Sequence, residues 1–378
     1  MPVNFLHRER AELEALMPGL DQALARHPLA ALEQTPSPAI EEFKIAGGPG
    51  LLVPAAHCGA GASALQAVRV QRAVGARCPS LAVATTMHHF SIAGLVEAAK
   101  YGNGLEGLLL EAIAKERMLV ASGFAEGRPG QNILTPHITA ERRGDRIVLN
   151  GSKMPCSLSR SMDLLTASVA LTGPDGVERL AVALIPAASP GVTVRPFWGT
   201  PILAGAESDE VRLTDVELDP SMVVATEVTA DAVPDALNVA GFLWFEVLLT
   251  AGYLGMASAL VERVLHRQGG GEDDPTPYLV PVEAAMLAVE AVARAMADEV
   301  WDEALLVQAL TARYAAQDAI ARTTRACLAA LGGMAFIGSP DGSYLASAAV
   351  GLTFHPPARA RMARPLREFL DGRALRIG

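Results

Sequence analysis

Residues 146–165 read RIVLNGSKMPCSLSRSMDLL. Ile147 and Leu149 fall to one side and Val148 and Asn150 to the other, the two-residue period of a strand with one buried face. Asn150-Gly151 predicts a tight turn, because both residues tolerate the positive φ that such a turn needs. A polar loop follows, carrying Lys153, Cys156, Ser157 and Ser159, and a second apolar strand begins at Leu164. Strand, turn, loop and strand make a ledge of backbone N–H and hydroxyl groups in mid-chain, with helical sequence on either side.

Working outward, the segments LVASGF, PHITAER, DRIVLNG, DLLTASVAL, RLAVALIP, VTVRPF, DEVRLTDVEL and SMVVAT are short β-type runs separated by turn residues. They predict a central antiparallel β-barrel or sandwich over residues 119–228. Before it, the period is helical. An amphipathic stretch from Asn4 to His27 is broken at Pro18-Gly19, and a short helix spans Ile40 to Ile45. A helix capped near Ser63 runs through Arg72, and two more cover Leu81–Lys100 and Leu105–Arg117. After Val228 the helical period returns. One long helix spans Pro234 to Gln268 with small residues at Ala251, Gly252, Gly255 and Ala259, a stripe that lets another helix or a ligand come close. The loop GGGEDDPTPY leads to helices at Val282–Ala297 and Ala304–Leu331, the latter capped by Gly332-Gly333. A last helix covers Ala358–Leu370. The expected fold is therefore α+β and multidomain: an N-terminal all-α domain (1–118), the β domain (119–228) and a C-terminal four-helix-type bundle (229–378).

Composition narrows the function. The chain has 378 residues, 51% of them hydrophobic, enough for a large core, and a net charge of −10 that argues against nucleic-acid or anionic-membrane partners. Cys58, Cys78, Cys156 and Cys327 are scattered without paired spacing, so they read as reduced thiols and not as a disulfide frame or metal site. The charged N-terminus lacks the apolar core of a signal peptide, and no apolar run looks long enough to span a bilayer. A soluble cytoplasmic protein is expected. No HExxH, P-loop or GxGxxG in a strand–helix context occurs.

The order of elements, together with several motifs, resembles the acyl-CoA dehydrogenase family of flavoproteins from Phe5 to about Leu370. VLNGSKMPCSLS is similar to that family's NG-x-K-x-W-I-T-N motif, with Pro155 at the tryptophan and Ser157 at the threonine. SGFAEGRPGQN resembles a degraded T-E-P-x-A-G-S-D motif, keeping Glu126 and Gly130. VALIPAASPGVTV, DEVRLTDVELDPSMVV, AGYLGMASALVERVLHR and LGGMAF resemble, in order, two β-domain signatures, the long helix after the β domain and the G-G-x-G turn. The resemblance implies FAD held between the β domain and the bundle. Phe124, Ala125 and Ser157 would line the isoalloxazine, with Ser157 near N5. Gly332 and Gly333 would approach the FAD of a neighbouring subunit, which implies a homodimer or homotetramer.

The departures from the family pattern carry as much information. The resemblance places Phe354 and His355 where the family has Tyr and the catalytic Glu, followed by Pro356-Pro357. An imidazole titrates near neutrality and could act as a base or line the substrate pocket. A second base position, on the long helix, falls at Phe245, with Glu246 one residue on. One residue is about 100° around a helix, yet a carboxylate in the apolar run GFLWFEVLLTAG would be partly desolvated and a better base. Glu246 and His355 are thus the catalytic candidates. Ala346 stands where an FAD-binding arginine is usual, and the usual glutamine is missing. Arg313, Arg322 or Arg325 could substitute. Trp198-Gly199 reads as a turn with a possible ligand-side contact. His88-His89 reads as a polar helix pair near the surface, on a helix that by resemblance borders the acyl pocket, and not as a metal site.

The leading functional expectation is FAD-dependent α,β-dehydrogenation of a specialised acyl thioester, on CoA or an acyl-carrier protein, as in secondary metabolism. An electron-transfer flavoprotein or oxygen would be the acceptor. The alternatives are a flavin-dependent monooxygenase or oxidase on the same scaffold, and an inactive homologue that binds an acyl thioester or a partner subunit.

Overall fold

A computed structural model describes residues 4–102, 104–128, 132–229, 233–268 and 274–377. Gly130 and residues 269–273 of the GGGEDDPTPY loop lie outside the described residues. The N-terminal part is helical: α1 (His7–Leu16), α2 (Leu20–Ala25), α3 (Leu29–Leu32), α4 (Pro38–Ile45), α5 (Ala64–Arg77), α6 (Pro79–Ala99) and α7 (Leu105–Glu116). Local chemistry sets several of these starts. Ser37 accepts from the Ala39 N–H ahead of α4, with Pro38 in the first turn. Ser63 and Gln66 cap each other reciprocally ahead of α5. α5 runs five residues beyond the expected Arg72, and Arg72 itself is buried, bonded to Glu9 at 3.1 Å and to Ser258 at 3.1 Å.

The middle of the chain forms β1 (Val120–Gly123), β2 (Thr139–Arg143), β3 (Arg146–Cys156), β4 (Leu164–Thr172), β5 (Glu178–Pro186), β6 (Val192–Arg195), β7 (Asp209–Leu218) and β8 (Val223–Ala225). They make one mostly antiparallel sheet in the order β6-β7-β3-β2-β4-β5-β8, while β1 and β2 run parallel to β4. The opening stretch corrects the sequence reading. Asn150-Gly151 is not a hairpin turn: β3 continues through it to Cys156, still paired with β7 at Ser152–Arg212 and Lys153–Val211. The register shifts between Leu149 and Gly151, where Gly151 has φ 145°, so the dipeptide forms a β-bulge. Asn150 holds the bulge through its own side chain, which donates to Asp215 at 3.0 Å and accepts the Asp215 N–H at 2.8 Å. The polar loop begins only at Ser157.

Five further helices complete the described chain: α8 (Ala236–Gln268), α9 (Thr276–Ala295), α10 (Glu303–Gly338), α11 (Asp341–Ala349) and α12 (Arg359–Leu370). The small-residue stripe of α8 lies on α5. A Cβ on Gly75 would come within 2.1 Å of the Gly252 carbonyl oxygen, and one on Gly255 within 2.2 Å of the Arg72 carbonyl oxygen. The backbones touch. α10 does not end at the glycine pair as expected. Gly332 leaves helical geometry (φ 71°, ψ 171°) and the turns resume to Gly338, so the pair marks a kink. Two helices, α8 and α10, are after all long and apolar enough to cross a membrane by length and composition, but the apolar window of α8 is 89% buried in the core. That of α10 is 28% buried, and Met334, Phe336 and Ile337 beyond the kink are exposed.

Candidate active site

A cavity of about 680 Å³ opens between the sheet, α6 and α8. Phe90 and Ser91 of α6, Ser122 of β1 with Phe124 and Ala125 just beyond it, and Phe242, Phe245 and Tyr253 of α8 form three of its sides. The loop of Trp198 to Leu203, with Ser157 and Ser208, and the segment Phe354–Pro356 close the others. Its walls are largely apolar and aromatic. Phe90 meets Phe124 and Phe245 edge-on, at ring-centroid distances of 5.8 and 5.5 Å. A short set of hydroxyls interrupts them: Ser157 and Ser208 are 2.9 Å apart, and Ser91 lies 3.1 Å from Thr166.

The ledge is built from behind. The bulge in β3 turns Lys153 into the protein, where it is wholly buried and donates to Glu126 at 2.8 Å and Ser168 at 3.0 Å. Burial lowers the Lys153 pKa. Burial also pushes Glu126 upward, but Lys153 and the N–H groups of His137 and Ile138 hold that carboxylate below its ordinary value overall. Met154 N–H donates to the Ala125 carbonyl at 2.9 Å and Ser168 to the Phe124 carbonyl at 3.4 Å. The Phe124–Ala125 wall is thereby fixed to β3 and β4. Past Cys156 the chain turns at Leu158 (φ 62°), whose N–H donates to the Ala206 carbonyl at 2.9 Å, and this turn sets Ser157 against Ser208.

The two catalytic candidates occupy different places. His355 faces the cavity, with its Nε2 2.7 Å from the Tyr253 hydroxyl. Burial and the Arg313 guanidinium push its pKa down to about 3, so the ring is neutral. Glu246 does not belong to the cavity lining; Phe245 does. The carboxylate is 1% exposed and both its oxygens accept from Arg313 Nη1 at 2.9 Å, burial raising its pKa against the pull of that cation. The expected partly desolvated base is instead one half of a closed ion pair. Arg313 also donates to the carbonyls of Leu352, His355 and Pro356, so it clamps the very segment that presents Phe354 and His355 to the cavity.

Phe124, Ala125, Ser157 and His355 therefore share one cavity, whereas Gly332 and Gly333 do not touch it. Gly332 borders a separate pocket of about 200 Å³ beside Arg263 and Asp341. Arg313 is committed to Glu246 and cannot stand in for a phosphate-binding arginine, and Arg322 and Arg325 are exposed on α10. His88 and His89 are buried, not superficial. His88 Nε2–H donates to the Pro49 carbonyl at 3.0 Å while Nδ1 accepts the Val120 N–H at 3.0 Å, and burial lowers its pKa to about 4. Trp198 lines the cavity, its indole N–H donating to the Ile202 carbonyl at 2.8 Å. Tyr253 and the residues 200–203 escaped the sequence reading; a tyrosine inside a stripe of Ala and Gly was the available signal for the first. Among the described residues, no group of three or more His, Cys, Asp or Glu is placed to hold a metal.

A flat, hydrogen-bonding ring suits this space: aromatic and aliphatic walls for its faces, and the paired hydroxyls of Ser157 and Ser208 for its polar edge. Isobutylamine N-hydroxylase of Streptomyces viridifaciens is 46% identical over 375 residues, covering 98% of this chain and 99% of the relative. Among solved structures, dibenzothiophene monooxygenase TdsC of Paenibacillus sp. A11-2, with FMN and indole, superimposes with a TM-score of 0.83 at 20% identity over 98% of this chain and 99% of that one. Nitrososynthase of Micromonospora carbonacea var. africana gives 0.82 at 19% identity (97% and 96% covered). The prolyl acyl carrier protein oxidase AnaB gives 0.81 at 16% identity (96% and 98% covered). No family model matches the chain.

Proposed function

Since the chain belongs to the acyl-CoA dehydrogenase-fold family of flavin-dependent oxidoreductases, which includes isobutylamine N-hydroxylase, we propose that it hydroxylates the nitrogen of a small aliphatic amine with a reduced flavin and dioxygen. The balance is R–NH2 + O2 + reduced flavin → R–NHOH + H2O + oxidised flavin. A bound flavin, reduced beforehand by an external donor, supplies the two electrons with which dioxygen gives one oxygen atom to nitrogen and the other to water. The protein's part is placement. Phe124, Ala125 and Ser157 would hold the flavin, Tyr253 and His355 would receive the amine, and the aromatic wall of Phe90 and Phe245 would keep water away.

One observation carries this reading over acyl-thioester dehydrogenation. Removing an α proton needs a base in the cavity. Among the described lining residues there is no carboxylate, Glu246 is closed on Arg313, and an imidazole titrating near 3 is a poor acceptor for a carbon-bound proton. Oxygen transfer to an amine nitrogen needs no such base, because the nucleophile is the nitrogen lone pair. For the flavin itself we favour FMN over the FAD expected from the resemblance: Ala346 stands where that family has an arginine that helps hold the FAD diphosphate or adenine, and Arg313 is already engaged.

The test is a coupled assay of the chain with FMN, NADH, a flavin reductase and isobutylamine under 18O2. N-isobutylhydroxylamine carrying one 18O atom is the expected product, with FMN bound more tightly than FAD. Anaerobic bleaching of the oxidised flavin by an acyl thioester alone would restore the dehydrogenase reading.

A further inference from the structure

Three carboxylates stand immediately behind the cavity walls, and each is paired with a cation. Behind α8 it is Glu246 with Arg313, at 2.9 Å. Behind the Phe124–Ala125 wall it is Glu126 with Lys153, at 2.8 Å. Behind Trp198 it is Asp209 with Arg160, at 2.7 Å. Two further acids near the walls, among the described residues, are also turned away. Buried Glu207 faces Ser161 and Arg160, with its pKa raised by burial, and Asp235 bonds the N–H groups of Glu227 and Asn238 at the start of α8. Among the described lining residues no Asp, Glu, Lys or Arg appears, and His355 and Tyr253 are the titratable groups that face the space. Both are uncharged at neutral pH: burial lifts the Tyr253 phenol well above its ordinary value, and His355 is neutral. The charged group that bears on His355 is the Arg313 guanidinium, which adds to burial in lowering the His355 pKa.

We infer that this cavity admits its amine only as the uncharged free base, and that the Tyr253–His355 pair is the hydrogen-bonding seat of the nitrogen. This rests on the amine reading proposed above and specifies the form of the substrate. An ammonium ion entering here would lose its hydration with no carboxylate to replace it, a large penalty in an apolar space. A neutral amine needs one donor or acceptor: the Tyr253 oxygen offers an acceptor lone pair in either tautomer of His355, and its O–H is free to donate when Nε2 carries the ring proton. The selection has a chemical use. A free base arrives with its lone pair exposed, so no residue must strip a proton from nitrogen before oxygen transfer. The cavity thus does by solvation what a general base does elsewhere.

The holoenzyme can be titrated calorimetrically with isobutylamine and, separately, with isobutanol, a neutral molecule of the same shape, between pH 7 and 9. An alkylammonium titrates near pH 10, as a lysine side chain does, so the free base grows about tenfold per pH unit across that range. The expected apparent Kd for isobutylamine falls about tenfold per unit, while that for isobutanol stays flat and the two compete. Tyr253→Phe is expected to weaken isobutylamine by about tenfold without altering the slope. An isobutylamine Kd that is flat or tightens as pH falls overturns the inference, as does failure of either probe to bind. An unchanged affinity in Tyr253→Phe removes the pair from the seat. Turnover measured alongside separates the two claims. The tenfold slope without hydroxylamine sinks the activity and leaves the selection standing, and hydroxylamine with a flat Kd does the reverse.

Discussion

Glu246 and Arg313 are 67 positions apart in the chain and form a pair with no solvent exposure on either side chain. At the residue scale this pair decides what the neighbouring cavity can do. Helix geometry already required that Phe245 and Glu246 point about 100° apart, so one of them had to turn away from the site. Which one, and towards what, depended on a partner that no local pattern indicates. Breaking one side of such a pair leaves a buried charge alone. Glu246→Ala is therefore expected to destabilise the chain by about 3–5 kcal/mol and to loosen the His355 segment, whereas Glu246→Leu combined with Arg313→Met should recover most of that loss. Urea midpoints of the two variants check this. If Glu246→Ala matches the wild type in stability, the pair is not the clamp described. Ser157 was legible from its place after the β3 motif, but Tyr253 was not, because nothing in AGYLG says which helix face meets the cavity.

At the scale of elements, α5 and α8 approach until their backbones touch at Gly75, Gly252 and Gly255. The small-residue stripe on α8 was readable in the sequence, and its physical meaning held: a helix, not a ligand, occupies it. Gly255→Ala places a methyl 2.2 Å from the Arg72 carbonyl oxygen, so the helices must part. The expected loss is about 1–3 kcal/mol with weakened flavin retention, because α8 also carries Phe245 and Tyr253. Thermal denaturation and flavin content of the purified variant measure both effects, and an unchanged Tm would refute the close contact. The β3 bulge shows the opposite case. Asn-Gly suits a hairpin turn and a bulge equally, since each needs unusual φ, and only pairing with β7 on the far side separates the two. The same holds at Gly332, where the local sequence reads as a helix stop but the chain kinks and goes on.

At the scale of the molecule, His88 and His89 are enclosed, His355 lines the cavity, and burial lowers each pKa, to about 4 for His88 and about 3 for His355. An imidazole whose folded pKa lies below its unfolded 6.5 binds its proton first in the unfolded chain. Stability from these groups is thus complete above pH 6.5 and is lost as pH falls towards 4, by about 2 kcal/mol for His88 alone at pH 5. His88→Gln should flatten the fall of the urea midpoint between pH 7 and 5 by about one proton, and an unaltered slope would mean that His88 is not held neutral. The sequence alone determined the order of helices, strands and helices, the kinship to flavin-dependent oxidoreductases, and the two strands that begin at Arg146 and Leu164 on either side of Ser157. It could do so because helix and strand periods and motif spacings are properties of short windows. The tertiary structure alone decided that His88 and His89 are core, that Glu246 is locked away and that the described residues lining the cavity are uncharged. Burial and charge pairing are set by partners far apart in the chain.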